Sequence, residues 1–254
     1  MSDYQKILFA IDQGVARVTL NRPDKRNALD AEIIGEIRDA VNRTARDESV
    51  RVIVVTGAGK DFCSGADLAA LQRISEATVM DNFADARRFA ELFIAIRNHP
   101  RPVIAAVRGR ALAGGCGLAT ACDIILASES SQFGYPEVNI GFVPAMVMAV
   151  LRRSVSEKRA FEMITRGEII SSRSAMEMGL VNRVFADDQF DSETEAYVSS
   201  LAAKSASAVS LCKSLLYHMD AMSFEAAIEA GAQMNAIARM TEDCKRGVER
   251  FLKK

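Results

Sequence analysis

Residues 103–127 read VIAAVRGRALAGGCGLATACDIILA, and this segment sets the architecture that the sequence predicts. Val103–Val107 and Asp123–Ala127 are short apolar runs of the kind that form buried strands. Between them, the stretch from Gly109 to Leu118 is rich in small residues and suits the junction of a strand with a helix. Strand, helix and strand in this order favour an α/β fold with parallel strands.

The N-terminal third extends the same alternation. Lys6–Ile11 and Val15–Leu20 flank a short turn containing Gly14, which predicts a β-hairpin. Asp30 is the expected N-cap of a helix whose apolar positions recur with helical spacing. Arg51–Thr56 is rich in β-branched residues and predicts the next strand.

The rest of the chain is predicted to become increasingly helical. The polar stretch Asp67–Asp85 is expected to be a loop or a broken helix, and Arg87–Asn98 a helix that ends before Pro100. The C-terminal end contains successive helical patterns without a strand signal. We therefore expect an α/β core over residues 1–195 and a C-terminal helical region over residues 196–254.

Composition excludes several classes of protein. The chain has 254 residues, 49% apolar and 26% charged, as in ordinary globular proteins. Lys plus Arg number 32 and Asp plus Glu 33, so the net charge is −1. This balance gives no reason to expect a nucleic-acid partner.

The cysteines and histidines indicate neither a disulfide framework nor a metal site. Five cysteines are irregularly spaced and there are only two histidines. Reduced thiols are typical of a cytoplasmic protein, and the N-terminus lacks a signal-peptide pattern. The longest apolar runs are of strand length, so we expect no membrane partner.

Two familiar motifs are only partly matched. Gly57-Ala58-Gly59-Lys60 lacks the spacing of a phosphate loop and indicates a turn after a strand. Ser64 follows Phe62-Cys63 and is not in a nucleophile elbow, and neither histidine is near it in sequence. A nucleotide-binding loop and a hydrolase triad are therefore disfavoured.

Two glycine-rich segments and one carboxylate carry a more specific signal. Ser64-Gly65-Ala66-Asp67 follows a strand, and Ala113-Gly114-Gly115-Cys116-Gly117 opens a helix. Small residues and a helix N-terminus can present backbone N–H groups to a carbonyl oxygen, although tight packing explains them equally well. Glu137 follows Pro136 between apolar residues, where a carboxyl group of raised pKa could act as acid and base, or could simply be solvated.

In this order, the segments resemble the enoyl-CoA hydratase/isomerase (crotonase) superfamily. The matching segments span most of residues 15–185, and the C-terminal helices match less clearly. They are Asn21-Arg22-Pro23 with Asn27-Ala28-Leu29, Val55-Thr56-Gly57, Phe62–Leu68, Gly109 with Gly114-Gly115, Ala121–Ile124, Phe133–Glu137 with Gly141, and Gly179-Leu180-Val181.

This resemblance implies a spiral of ββα units and a C-terminal helical region that makes a homotrimer or homohexamer and caps the active site. It also implies an acyl-CoA thioester substrate and no separate cofactor. The thioester oxygen would bind the backbone N–H groups of Ser64 and Gly114, with Glu137 as the catalytic carboxylate. The CoA portion would lie against Lys25, Arg26, Ala28, Ser64, Gly65, Ala66, Asp67, Leu68 and Gly114.

One position departs from the pattern of typical hydratases, which have a second catalytic glutamate where this chain has Gly117. We expect hydration of a 2-enoyl-CoA, including branched substrates such as methylglutaconyl-CoA, with the missing role passing to a substrate carboxylate, a second water or an acid from Asp67–Asp85. The alternatives are an enoyl-CoA isomerase with Glu137 as its single base, another reaction of the family, and an acyl-CoA-binding protein with little turnover.

Overall fold

The computed structural model describes residues 4–67, 72 and 76–253. The strands are β1 Ile7–Asp12, β2 Val15–Leu20, β3 Val52–Gly57, β4 Val103–Val107, β5 Arg110–Leu112, β6 Ile124–Ser128, β7 Gln132–Gly134, β8 Ile169–Ser171 and β9 Arg183–Phe185. The α-helices are α1 Ala31–Ala45, α2 Val79–Asn98, α3 Gly114–Ala121, α4 Ala145–Ser154, α5 Glu157–Arg166, α6 Ser172–Glu177, α7 Phe190–Ala202, α8 Ala206–His218, α9 Phe224–Met240 and α10 Glu242–Leu252.

The predicted hairpin and the first helix are confirmed. β1 and β2 pair antiparallel across a two-residue turn in which Gln13 and Gly14 both have positive φ. The turn twists in the sense that the paired strands require. The Asp30 carboxylate accepts hydrogen bonds from the backbone N–H groups of Glu32 and Ile33 and so caps α1 as predicted.

Six strands form the main sheet in the order β1-β2-β3-β4-β6-β9, in which only the β1–β2 pair is antiparallel. Its central strands are covered on both faces, as their continuous apolar sequences predict. In β3, Ile53 and Val55 face the apolar cluster that includes α1 and α2. Val52 and Val54 face a second cluster that includes Val198 of α7.

Three short strands, β5, β7 and β8, form a second sheet. β5 and β7 pair in parallel, and β8 adds antiparallel to β7. β5 follows β4 directly and β7 follows β6, so two strands of the main sheet, β4 and β6, each continue into a short strand of the second. Helix α3 comes directly after β5, which gives the ββα unit that the resemblance implied.

One segment differs from the prediction. The stretch Asp67–Asp85 was expected to be a loop or a broken helix and Arg87–Asn98 a helix, but α2 already begins at Val79, so the start of this helix was predicted too late in the chain. Thr78 begins this helix with a reciprocal capping box, in which its side chain accepts from the Asp81 N–H and the Asp81 carboxylate accepts from the Thr78 N–H. Residues 68–71 and 73–75 lie outside the described residues.

The C-terminal end is helical, as predicted. The predicted division after residue 195 falls inside α7, which packs on the main sheet through Phe190 and Val198. Helix α8 is fastened to the core by Lys213, whose Nζ lies 2.7 Å from Asp123 Oδ2. Among the described residues, no helix combines the length and apolar character needed to span a membrane.

Candidate active site

The parallel pairing of β5 and β7 brings two predicted site segments together. Leu112 pairs with Gly134 at the ends of these strands, and the Ala113 N–H donates to the Gly134 carbonyl oxygen at 2.8 Å. Two residues beyond Leu112 the chain reaches Gly114, and three residues beyond Gly134 it reaches Glu137. Strand register therefore places the start of α3 beside the turn that carries the carboxylate.

The start of α3 combines an unpaired N–H group with backbone strain. Gly114 is the first residue of the helix, and within the described chain its N–H has no backbone acceptor. Ala113 precedes it with φ +50° and ψ −127°, a conformation that residues with a Cβ rarely adopt. Such strain costs on the order of 1–3 kcal/mol and is frequent at functional sites.

The segment around Ser64 lies between residues 26–29 and β5. Cys63 pairs in parallel with Ala111, and Ala66 pairs in parallel with Leu29. The Ser64 N–H donates to the Arg26 carbonyl oxygen at 3.0 Å. This N–H already serves a backbone acceptor, and the geometry therefore does not favour the predicted role of Ser64 as a donor to the thioester oxygen.

The neighbouring N–H of Ala66 points in the other direction. The Gly65 carbonyl oxygen accepts from the Leu29 N–H at 2.7 Å, so in the same planar peptide unit the Ala66 N–H points away from Leu29. A φ of +96° at Gly65 permits this turn of the backbone. A Cβ on Gly65 would lie 2.8 Å from Ala113 Cβ and 3.5 Å from the Gly114 nitrogen, which shows how closely the two segments approach.

Ala66 is thus a functional candidate that sequence analysis assigned only to CoA binding. Within the described chain, its N–H has no backbone acceptor, as is also true of Gly114. The signal in the sequence was Gly65. A glycine can adopt positive φ, and this changes the direction in which the backbone N–H groups next to it point.

Glu137 stands in a 3-10 turn, Pro136–Ile140, directly after β7. Its Oε2 atom is buried and has no hydrogen-bond partner in the described structure. Burial raises the pKa of this carboxyl group above its ordinary value. A carboxyl group that is buried without a partner can exchange a proton with a ligand.

The position of the missing second carboxylate is filled by apolar side chains. A Cβ at Gly117 would lie 2.6 Å from Val147 Cγ2 and 3.2 Å from Phe93 Cζ. Both of these side chains are buried. No side chain can be placed at position 117 unless its neighbours move.

Most predicted CoA-binding residues lie together on one loop. Lys25 and Arg26 are exposed, whereas Ala28 is buried and its carbonyl oxygen accepts from Arg22 Nη1 at 2.7 Å. The Asp67 carboxylate is also held by Arg22, at 2.7 Å, which orients it toward the protein. Leu68 lies outside the described residues.

Asn27 has a structural role in the site. From the sequence it was noted only as part of a matching segment, without a role of its own. It is fully buried, and its Nδ2 donates to the carbonyl oxygens of Ala58 and Asp61 at 2.9 and 2.7 Å. Its Oδ1 accepts from the Arg22 N–H. Asn27 therefore ties the loop of Lys25 and Arg26 to the turn after β3, and its positive φ, 55°, is one that asparagine tolerates.

The two histidines are engaged in contacts within the fold. His99 is buried against Thr44 and Arg101, and burial lowers its pKa to about 4. His218 is on α8, with Nδ1 2.6 Å from the Ser214 carbonyl oxygen. Among the described residues, no group of three or more His, Cys, Asp and Glu side chains could hold a metal ion.

Two unpaired N–H groups beside a buried carboxyl group define a class of enzyme site. The N–H groups can stabilise negative charge on a carbonyl oxygen, and the carboxyl group can move a proton at the adjacent carbon. Comparison with known proteins agrees with this class. The model of the enoyl-CoA hydratase/isomerase family matches residues 10–254.

Individual relatives cover nearly the whole chain. An enoyl-CoA hydratase structure from Mycobacterium smegmatis superimposes with a TM-score of 0.94 at 36% identity, over 98% of this chain and 96% of that one. The 2,3-dehydroadipyl-CoA hydratase of Escherichia coli is 32% identical, over 98% of this chain and 96% of its own length. The mouse mitochondrial enoyl-CoA hydratase domain-containing protein 3 is 32% identical, over 95% of this chain and 80% of its own.

The chain belongs to the enoyl-CoA hydratase/isomerase family and has the crotonase fold. The resemblance stated from the sequence is confirmed at this level, and so is the expectation of an enzyme that acts on acyl-CoA thioesters.

Proposed function

We propose that the protein hydrates a 2-enoyl-CoA, with the thioester oxygen bound by the N–H groups of Ala66 and Gly114 and with Glu137 as its acid–base group. The single observation that carries the proposal is the buried, unpartnered Oε2 of Glu137 beside the start of α3. The names of the relatives support hydration as the reaction.

The reaction can be completed with one carboxylate. Glu137 takes a proton from water as the water oxygen bonds to C3, and the C2=C3 π electrons move toward the thioester oxygen. The N–H groups of Ala66 and Gly114 stabilise the resulting enolate, each contributing about 3–4 kcal/mol to the transition state. Protonated Glu137 then gives its proton to C2, and the thioester carbonyl re-forms.

Isomerisation of a 3-enoyl-CoA is the second candidate, and the packing at Gly117 favours it. Glu137 would remove a proton from C2, giving a dienolate that the same two N–H groups stabilise, and would return the proton to C4 as the double bond moves to C2=C3. No water takes part, so the apolar surroundings that Val147 and Phe93 give to position 117 would not hinder this reaction.

Two exposed positive charges support a binding site for the phosphate groups of CoA. Lys25 and Arg26 are exposed on the loop that precedes Ala28, beside the segment Ser64–Asp67. Asp67 is engaged by Arg22 at 2.7 Å, and Lys25 Nζ lies 3.8 Å from the same carboxylate oxygen, so a phosphate would compete with Asp67 for Lys25. We propose that the two exposed cations contact phosphate groups and that CoA enters only as part of the substrate, without a further cofactor.

A paired assay tests the reaction. Purified protein is given a 2-enoyl-CoA and, separately, a 3-enoyl-CoA, and the absorbance of the conjugated thioester is followed. A fall with the 2-enoyl substrate supports hydration, and a rise with the 3-enoyl substrate supports isomerisation. Glu137→Gln must abolish either signal while acyl-CoA still binds; an unchanged rate would refute the role of Glu137.

We also propose that the C-terminal helices join copies of this chain into a trimer or a hexamer. Helices α8, α9 and α10 have no buried residue in the single chain. Large apolar side chains are exposed there, including Phe224 at 76% and Phe251 at 78%. Such a surface is typical of an interface. Light scattering on the purified protein measures the mass, and a monomer would refute this proposal.

A further inference from the structure

A buried polar contact is formed by Tyr135, two residues before Glu137, and has no part in the chemistry described so far. Tyr135 is fully buried, and its hydroxyl oxygen lies 2.7 Å from Oγ1 of Thr120 on α3. Thr120 is buried as well. A phenol hydroxyl inside an apolar core needs a partner, so this contact selects one arrangement of β7 against α3.

The direction of the hydrogen bonds follows from the number of protons. The Thr120 hydroxyl donates its only proton to the Cys116 carbonyl oxygen at 2.8 Å. The Tyr135 hydroxyl must therefore be the donor to Thr120 Oγ1. The chain of bonds runs from Tyr135 into the backbone of α3.

Tyr135 is connected to Glu137 by a short, stiff segment. Pro136 lies between them and restricts the backbone. The Glu137 carbonyl oxygen accepts from the Phe142 N–H at 3.0 Å, which closes the turn. At the other end, Gly134 is held by the Ala113 N–H at 2.8 Å. The segment that carries Glu137 is thus attached to the α3 region at two points.

The same helix carries Gly114, whose N–H we assign to the thioester oxygen. We infer that Tyr135 and Thr120 are positioning residues, which hold the Glu137 carboxylate at its working distance from the oxyanion donors without touching the substrate. The inference rests on the proposed function of Glu137. Since a displacement of about 1 Å can lower a rate by about 100-fold, losing this contact should affect the rate more than substrate binding.

A matched control exists elsewhere in the chain. Thr44 on α1 is also buried, and its hydroxyl donates to the carbonyl oxygens of Ala40 and Val41. It contacts His99 rather than the site. Thr44→Val therefore removes a buried helical hydroxyl without touching the Tyr135 contact.

The experiment measures exchange of the α-hydrogens of butyryl-CoA with solvent deuterium by mass spectrometry. This readout requires the enolate and Glu137 but is the same for a hydratase and an isomerase. The affinity for butyryl-CoA is measured by calorimetry. We expect Thr120→Val and Tyr135→Phe each to slow exchange about 10- to 100-fold at saturation, with the Kd changed less than twofold. Thr120→Ser keeps the hydroxyl and should recover most of the rate.

The double variant of Tyr135 and Thr120 should be no slower than the worse single variant, because both remove the same contact. A wild-type exchange rate in folded Tyr135→Phe would overturn the inference, as would an equal loss in Thr44→Val. If Thr120→Val does not fold, Tyr135→Phe decides, since it removes one atom only. Absence of exchange in the wild type, or exchange that survives Glu137→Gln, would instead refute the proposed function and the inference with it.

Discussion

Substitution of Gly117 tests whether its surroundings are as closed as the structure indicates. In Gly117→Ala, the new Cβ would approach Val147 Cγ2 to 2.6 Å. Overpacking of this kind costs about 1–3 kcal/mol, whereas alanine gains about 1 kcal/mol over glycine in a helix interior. Gly35 in α1 is the matched control, because a Cβ there would meet no heavy atom within 4 Å.

The comparison isolates the crowding from the helix propensity. Gly35→Ala should raise the free energy of unfolding by about 1 kcal/mol, and Gly117→Ala should fall below this control by about 1–3 kcal/mol. For a chain of this size the difference corresponds to about 2–12 °C in Tm. Adding Val147→Ala to Gly117→Ala should cost less than the sum of the single changes, because the clash is then removed. Thermal unfolding followed by circular dichroism measures each value.

Positions 117 and 147 also test whether a second carboxylate would speed hydration. Gly117→Glu alone should be strongly destabilised, while Gly117→Glu with Val147→Ala gives a carboxylate room and should hydrate a 2-enoyl-CoA faster than Val147→Ala alone. Equal Tm shifts in Gly117→Ala and Gly35→Ala would refute the reasoning, since position 117 would then be open to side chains and to water.

Three further predictions concern the same site. Burial raises the pKa of Glu137, so ionisation of this carboxyl group destabilises the folded state. The free energy of unfolding should therefore fall as pH rises from the ordinary carboxyl range through the raised pKa. Denaturant titrations should show a smaller fall in Glu137→Gln. Ala113→Gly should relieve the strain at φ +50° and raise stability by about 1 kcal/mol, whereas Ala119→Gly in the same helix should lower it by about 1 kcal/mol. Ala66→Pro removes the proposed oxyanion donor and should abolish turnover in folded protein. Ser64→Pro removes a backbone hydrogen bond and should chiefly lower Tm. The reverse result would show that Ser64 is the donor.

The elements could be predicted because local signals agreed with the tertiary structure. β-Branched runs became strands of the main sheet, and the carboxylate of Asp30 capped α1. Where a helix start was predicted too late in the chain, the signal was present but weaker. The capping box of Thr78 and Asp81 begins α2, yet the polar residues that follow had favoured a loop or a broken helix.

The site could be predicted only in part, because its donors belong to the backbone. Glu137 and Gly114 were predicted from a carboxylate between apolar residues, a glycine-rich helix start and the family resemblance. The choice between Ser64 and Ala66 depends on which peptide N–H groups are already engaged, and this follows from the positive φ of Gly65 and from pairing with Leu29, neither of which is visible in residue types. The role of Arg22 likewise depends on two loops that meet in space.

The geometry also restricts the stereochemistry if the reaction is hydration. Val147 and Phe93 leave no room for a second side-chain carboxylate at position 117, so in the proposed single-carboxylate reaction Glu137 both binds the water and returns the proton. Both new bonds then form on the face of the substrate that is turned toward Glu137, which predicts syn addition. Hydration in D2O gives a 3-hydroxyacyl-CoA with one deuterium at C2, and proton NMR coupling between C2 and C3 reports its configuration. Anti addition would require a second acid–base group on the opposite face and would contradict a site that works with one carboxylate.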